Sequence, residues 1–190
     1  MEAMQESYRE DATGPYTIED IKALPDGKRA ELINGYIFMM ATPTTTHQRI
    51  SGEIYAEIRN HIRTNKGKCQ AFTAPCAVYL DARETGKNWV EPDIFVVCTK
   101  DKIHEDGIYG APEWVIEIAS PSSIARDFMK KINLYGQYGV TEYWIVNPMK
   151  EVVTVFIFLP QLQTYQYSFY DEISPSLYPD LSINIRGLLS

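Results

Sequence analysis

The sequence has no surplus of positive charge: 18 Lys and Arg stand against 25 Asp and Glu, a net charge of −7. That counts against a nucleic-acid partner, because Lys and Arg supply most non-specific affinity for nucleic acid. Carboxylates gathered to hold a cation would also make the chain acidic, with the bound ion restoring positive potential locally. No apolar run approaches the ~20 residues of a spanning helix. The opening stretch MEAMQESYREDATGPY carries both signs of charge and no signal-peptide core. Neither a membrane partner nor export is expected. Cysteine is scarce. Cys69, Cys76 and Cys98 are odd in number and form no C-x-x-C, so nothing suggests zinc or a redox pair, and a reducing cytoplasm is the simplest location. Repeats and low-complexity linkers are also missing, so 190 residues read as one domain.

Local patterns outline that domain, with residues 1–15 as a flexible N-terminal arm and residues 16–190 as the folded unit. T-I-E-D from Thr17 is a capping box for a short helix ending near Leu24, and Pro25-Asp26-Gly27 turns the chain. Asn34-Gly35 tolerates positive φ and joins expected strands at 30–33 and 36–40 as a hairpin. Between Thr44 and Asn65, Ile50, Ile54, Ile58 and Ile62 recur every four positions, the stripe of an amphipathic helix. CQAFTAPCAVYL, WVEPDIFVV and EWVIEIAS read as central strands. Ser122 or Ser123 opens another helix ended by Gly139, and TEYWIVN returns as a strand. VVTVFIF and TYQYSFY form a hairpin, before a tail, LSINIRGLL, that adds a short strand or turn. The fold class is α/β in the mixed α+β sense: a central mixed sheet with helices on its faces.

Two acidic residues stand in segments that otherwise read as buried, Asp93 in V-E-P-D-I-F-V-V and Glu117 in W-V-I-E-I-A-S. Desolvating a carboxylate is costly, so each needs a partner. The partner is either a basic side chain or, for two carboxylates at neighbouring strand ends, a shared hard divalent cation.

The chain resembles the Uma2-like family of restriction-endonuclease-type proteins in the PD-(D/E)XK nuclease superfamily. The likeness runs from about Tyr16 to the C-terminus. It is carried by E-L-I-N-G at 31–35, T-x-x-H ending at His47, P-D-I-x-V-V at 92–97, E-I-A-S-P-S-S at 117–123, D-x-x-x-K-x-x-x-Y at 127–135 and G-V-x-E-Y-W-I-V-N-P at 139–148. The resemblance implies a restriction-endonuclease-like core in which Asp93 and Glu117 ligate Mg²⁺ or Mn²⁺, a lysine polarises the attacking water, and a phosphodiester of nucleic acid, DNA in the first instance, is hydrolysed to 5′-phosphate ends. One departure matters: Ala119 stands two residues after Glu117, where the superfamily's usual lysine belongs. Either the enzyme is silent, leaving a binding or interaction module, or the ammonium comes from the next helix.

That helix offers Lys130 and Lys131. At about 100° per residue, Phe128, Ile132 and Tyr135 define the core-facing stripe; Lys131 flanks it and Lys130 points almost directly away. Lys131 is therefore the catalytic candidate, with pairing to Asp127 one turn back as the plain alternative. Glu31, by the resemblance, is either an extra ligand or a surface strand carboxylate. His47 can contact substrate or accept a proton, and can equally cap its helix; His61 and His104 have no supporting pattern. Tyr135, Tyr138, Tyr143 and Trp144 are expected in the core. Lys28-Arg29, Lys66, Lys68, Lys100, Lys102, Arg126 and Lys130 could form a phosphate-binding rim. Apolar residues of the C-terminal hairpin suggest a homodimer, which would place two sites on two strands.

Overall fold

The computed structural model describes residues 14–81, 85–121 and 123–190. Most of the expected arm lies outside the described residues, and Gly14, inside them, donates its N–H to Asn34 O at 2.7 Å. Helix α1 (Ile18–Lys22) begins at the capping box, with the Thr17 N–H donating to the Asp20 carboxylate at 2.8 Å. Strands β1 (Ala30–Ile33) and β2 (Tyr36–Met39) pair antiparallel around Asn34 and Gly35, whose φ values are 50° and 74°. Glycine is required at 35 on two counts, since a Cβ there would also lie 2.4 Å from Gly14 O. Helix α2 (Thr45–Thr64) is N-capped by Thr44, whose hydroxyl accepts from the His47 N–H at 3.2 Å, and it buries Ile50, Ile54, Ile58 and Ile62 as its periodicity requires. Each such isoleucine stabilises the fold by roughly 1.5–3 kcal/mol relative to leaving it in water.

The chain continues through β3 (Gln70–Thr73), β4 (Val78–Tyr79), β5 (Trp89–Val90), β6 (Ile94–Val97), a 3₁₀ turn (Lys100–Lys102), β7 (Ile103–His104), β8 (Gly107–Tyr109) and β9 (Trp114–Ile118). It then forms α3 (Ile124–Arg126), a π-helical turn (Asp127–Lys131) and α4 (Ile132–Tyr138), which Gly139 closes at φ 85°. Strands β10 (Glu142–Asn147), β11 (Val152–Ile157) and β12 (Gln163–Ser168) follow, and α5 (Ile185–Leu188) ends the chain. The tail adds both a bridge, Ile173 to Ile183, and this short helix.

The strands form two mixed sheets rather than one. The central sheet runs β12-β11-β10-β9-β6-β3, with β9 and β10 parallel and its other pairs antiparallel; the second runs β2-β1-β5-β4-β8-β7. The expected strand CQAFTAPCAVYL is divided, β3 joining the central sheet and β4 the second. β4, β5 and β7 have two residues each and β8 has three, too short for a period-two pattern to show in sequence.

Strand alternation sorts the central sheet into two faces. Ile94, Val96, Trp114, Ile116, Ile118, Trp144 and Val146 pack with the α2 isoleucines and Ile185 of α5. Phe95, Val97, Val115, Tyr143 and Ile145 pack with Leu134 and Tyr135 of α4 and with Ile33, Val78 and Val90 of the second sheet.

Cysteine pairing is a correction to the sequence reading. Cys69 and Cys98, the pair next after Gln70 and Val97 in the β3–β6 register, form a disulfide, and Cys76 is a free thiol. Their 29-residue separation carries no motif, because strand register alone makes them neighbours. Among the described residues no helix is long and apolar enough to cross a membrane.

Candidate functional site

Asp93 and Glu117 face each other across two neighbouring strands. In the antiparallel β6–β9 register Ile94 lies opposite Ile116, so one further residue puts Asp93 opposite Glu117. Asp93 immediately precedes β6 and Glu117 lies one residue from the end of β9, so both are carried at the same end of these two strands. Both line a cleft of about 840 Å³ that also receives His47, Ser120, Ser123, Arg126, Asp127 and Lys131. Asp93 Oδ2 accepts the Ile118 N–H at 2.8 Å and lies 3.1 Å from His47 Nε2. Glu117 Oε1 accepts from Lys131 Nζ at 2.7 Å and from the Tyr135 hydroxyl at 3.0 Å. Among the described residues each carboxylate makes these contacts through one oxygen.

Lys131 is buried, with 2% of its side chain exposed. Its ammonium stands 2.7 Å from Glu117 Oε1, 2.8 Å from Glu31 Oε1 and 3.8 Å from Asp127 Oδ1. The pairing with Asp127 one turn back is present, and the lysine also reaches Glu117. The sequence wheel was wrong about the depth of Lys131, and the reason is local: residues 127–131 form a π turn, which departs from 100° per residue and rotates both Asp127 and Lys131 into the core. Lys130 corrects the wheel in turn, its Nζ resting 4.1 Å over the Phe38 ring of β2 instead of pointing away into water. Glu31 is not a surface carboxylate. It is fully buried on β1, holds Lys131, accepts the Glu91 N–H at 3.3 Å and lies 3.4 Å from Arg126 Nε.

The electrostatics follow from four carboxylates, Asp93, Glu117, Glu31 and Asp127, gathered around few cations. Burial pushes the Glu117 carboxyl well above its ordinary range; Lys131 opposes this, while Asp93, Asp127 and Glu31 add to it. Asp127 is raised for the same first reason, burial. At Lys131 burial works against the charged form, yet Glu117, Glu31 and Asp127 outweigh it and the ammonium is held protonated. At His47 burial pulls downward most strongly, but Asp93, Asp127 and the Ile118 backbone together outweigh it and the net shift is upward. Tyr135 is raised, by burial and then by Glu117, so its hydroxyl stays a donor.

All five candidates, Asp93, Glu117, Lys131, Glu31 and His47, meet in or directly behind this cleft. The helix cap expected of His47 is supplied by Thr44, and the His47 ring turns to Asp93 instead. Tyr135 was assigned to the core and is there, but it also donates to Glu117. The D-x-x-x-K-x-x-x-Y spacing carried that signal, with all three side chains on one buried side of a single helical stretch. Of the expected basic rim only Arg29 and Arg126 line the cleft. Arg29 is taken by Glu91, and Lys102 is tied elsewhere to Glu113 and Ala111 O. His61 lines a separate groove with Asp180.

The fold has a solved counterpart described as a putative nuclease belonging to DUF820 from Anabaena variabilis ATCC 29413, with TM-score 0.74, 24% identity, and coverage of 92% of this chain and 97% of that one. No curated protein matches. Residues 18–186 match the family described as "Uma2: Putative restriction endonuclease". With its two sheets, its cleft and nearly the whole chain accounted for by that match, this protein belongs to the Uma2 family.

Proposed function

We propose that the protein is a metal-dependent endonuclease that hydrolyses phosphodiester bonds in nucleic acid, DNA in the first instance, with Mg²⁺ or Mn²⁺ held by Asp93 and Glu117. The observation that supports the reading is that both carboxylates line one cleft, which Lys131 also lines with its ammonium 2.7 Å from Glu117. Among the described residues no group of three or more His, Cys, Asp or Glu side chains is arranged to hold an ion. The donor set therefore suits a cation that takes one or two carboxylates and completes its shell with water and substrate oxygens, which is the habit of Mg²⁺. When bound, it would lower the pKa of a coordinated water and neutralise charge on the phosphate.

In the reaction a water oxygen bonds to phosphorus, the bond from phosphorus to the leaving oxygen breaks, and the leaving oxygen takes up a proton. Lys131, kept protonated by its carboxylates, offsets charge on the attacking hydroxide in place of the lysine that Ala119 lacks. Tyr135 fixes the Glu117 rotamer, and His47 with the Ile118 N–H fixes that of Asp93. Glu31 holds Lys131 in place. Exposed Leu159, Leu162, Tyr165 and Tyr170, on and around the edge strand β12, are the surface we assign to a homodimer.

A silent binding module on the same fold is the second reading, favoured by Ala119 and by an ammonium locked among three carboxylates. Titrating Mg²⁺ and Mn²⁺ into the purified chain with single-stranded and duplex DNA and RNA separates the two. Metal-dependent cleavage lost in Asp93→Asn supports the enzyme; binding without cleavage at any metal concentration supports the silent module. Sedimentation velocity tests the dimer.

A further inference from the structure

Among the described residues, three Lys and Arg side chains line the cleft, and two of them, Lys131 and Arg29, make hydrogen bonds to carboxylates. Lys131 lies among three carboxylates, and Arg29 donates from both Nε and Nη2 to Glu91 Oε2. Arg126 differs. It ends α3 immediately before the π turn, lines the cleft, and leaves only 16% of its side chain exposed. Its Nε is buried and makes no hydrogen bond; Glu31 Oε2 at 3.4 Å and Asp127 Oδ1 at 4.0 Å, the two nearest carboxylate oxygens, are likewise buried without one. Natural structures rarely leave a buried charged donor unfilled, because its lost hydration is uncompensated. Glu31 and Asp127 hold the guanidinium electrostatically at its Nε, and the residue itself forms part of the cleft wall.

We infer that Arg126 is the phosphate clamp of this site: its guanidinium binds non-bridging oxygens of the phosphodiester that Asp93 and Glu117 present for cleavage. The inference rests on the nuclease reading and deepens it. An arginine fork matches two phosphate oxygens at once, as a point-charge ammonium does not. The two cations then divide the work, with Lys131 serving the carboxylates and the attacking water from beneath and Arg126 meeting the substrate. The division also fits the acidic surface, since one preorganised fork inside a cleft replaces a broad basic face.

The test is binding without turnover. Wild type, Arg126→Lys and Arg126→Gln are titrated by fluorescence anisotropy with a labelled oligonucleotide, single-stranded and duplex, in Ca²⁺ over a range of salt. Arg126→Lys is expected to bind about tenfold more weakly despite its retained charge, and Arg126→Gln to lower the slope of log affinity against log salt by about 0.7–0.9, one phosphate contact. In Mg²⁺, Arg126→Lys should cost about 10² in kcat/KM. A merely structural Arg126 would lower the melting temperature and leave the salt slope unchanged, and that result overturns the clamp. Wild-type affinity and rate in Arg126→Lys overturn it too, with the nuclease reading intact. Wild type that binds neither oligonucleotide removes both.

Discussion

Replacing Lys131 by Met tests the architecture of the site most sharply. The substitution keeps length and apolar stem but removes the ammonium that stands 2.7 Å from Glu117 and 2.8 Å from Glu31, with Asp127 at 3.8 Å. Two fully buried carboxylates lose their nearest cation, and breaking a buried pair in this way costs about 3–5 kcal/mol. For a chain of this size that is a fall of roughly 6–20 °C in Tm. The sign with pH is fixed as well. Without Lys131 nothing of equal weight opposes the burial that already raises the Glu117 and Asp127 carboxyls, so both rise further and the native state binds protons that the unfolded state has released. Stability of the variant therefore falls as pH rises, and its deficit against wild type shrinks as pH is lowered toward the carboxylate range. Urea unfolding at pH 5 and pH 8 reads both effects. A deficit below about 1 kcal/mol, or one equal at the two pH values, would refute the reasoning. Lys130→Met is the control: its Nζ rests on the Phe38 ring, a contact worth about 0.5–1 kcal/mol, and its cleavage rate should stay near wild type while Lys131→Met loses about 10² or more.

Three further outcomes follow from the same contacts. Glu117→Gln should stabilise the metal-free protein at neutral pH and flatten the decline of wild-type stability as pH rises from about 4.5 through the raised Glu117 value, as measured by Tm against pH in chelator; a steeper decline would contradict burial as the cause. Asp93→Asn should abolish cleavage with stability within about 1 kcal/mol of wild type, because the amide oxygen still accepts the Ile118 N–H while repulsion with Glu117 is relieved. A large drop in Tm would make Asp93 a structural partner of His47 instead. Alkylation under denaturing, non-reducing conditions should label Cys76 alone, with Cys69 and Cys98 labelled after reduction; labelling of all three without reduction excludes the disulfide.

Much of the fold was legible because it is encoded by near neighbours. Asn34-Gly35 announces a hairpin, since the positive φ the turn requires belongs to those two residues themselves. The four isoleucines of α2 announce a buried face because helix geometry alone places them together. Asp93 and Glu117 were visible as carboxylates within apolar stretches, where burial without a partner is too costly to be accidental. The second sheet was not legible, because β4, β5 and β7 are too short to carry a pattern and exist through pairing with partners distant in the chain. The disulfide and the role of Glu31 were hidden for the same reason, being set by strand register and sheet stacking. Lys131 lies between these cases. Its proximity to the site could be read from the helix, but its full burial depends on a π turn, an extra twist that helical periodicity does not contain. Residue types and local spacing determined which groups could act, whereas the packing of the π turn against both sheets decided that Lys131 would be buried among three carboxylates, Glu31, Glu117 and Asp127.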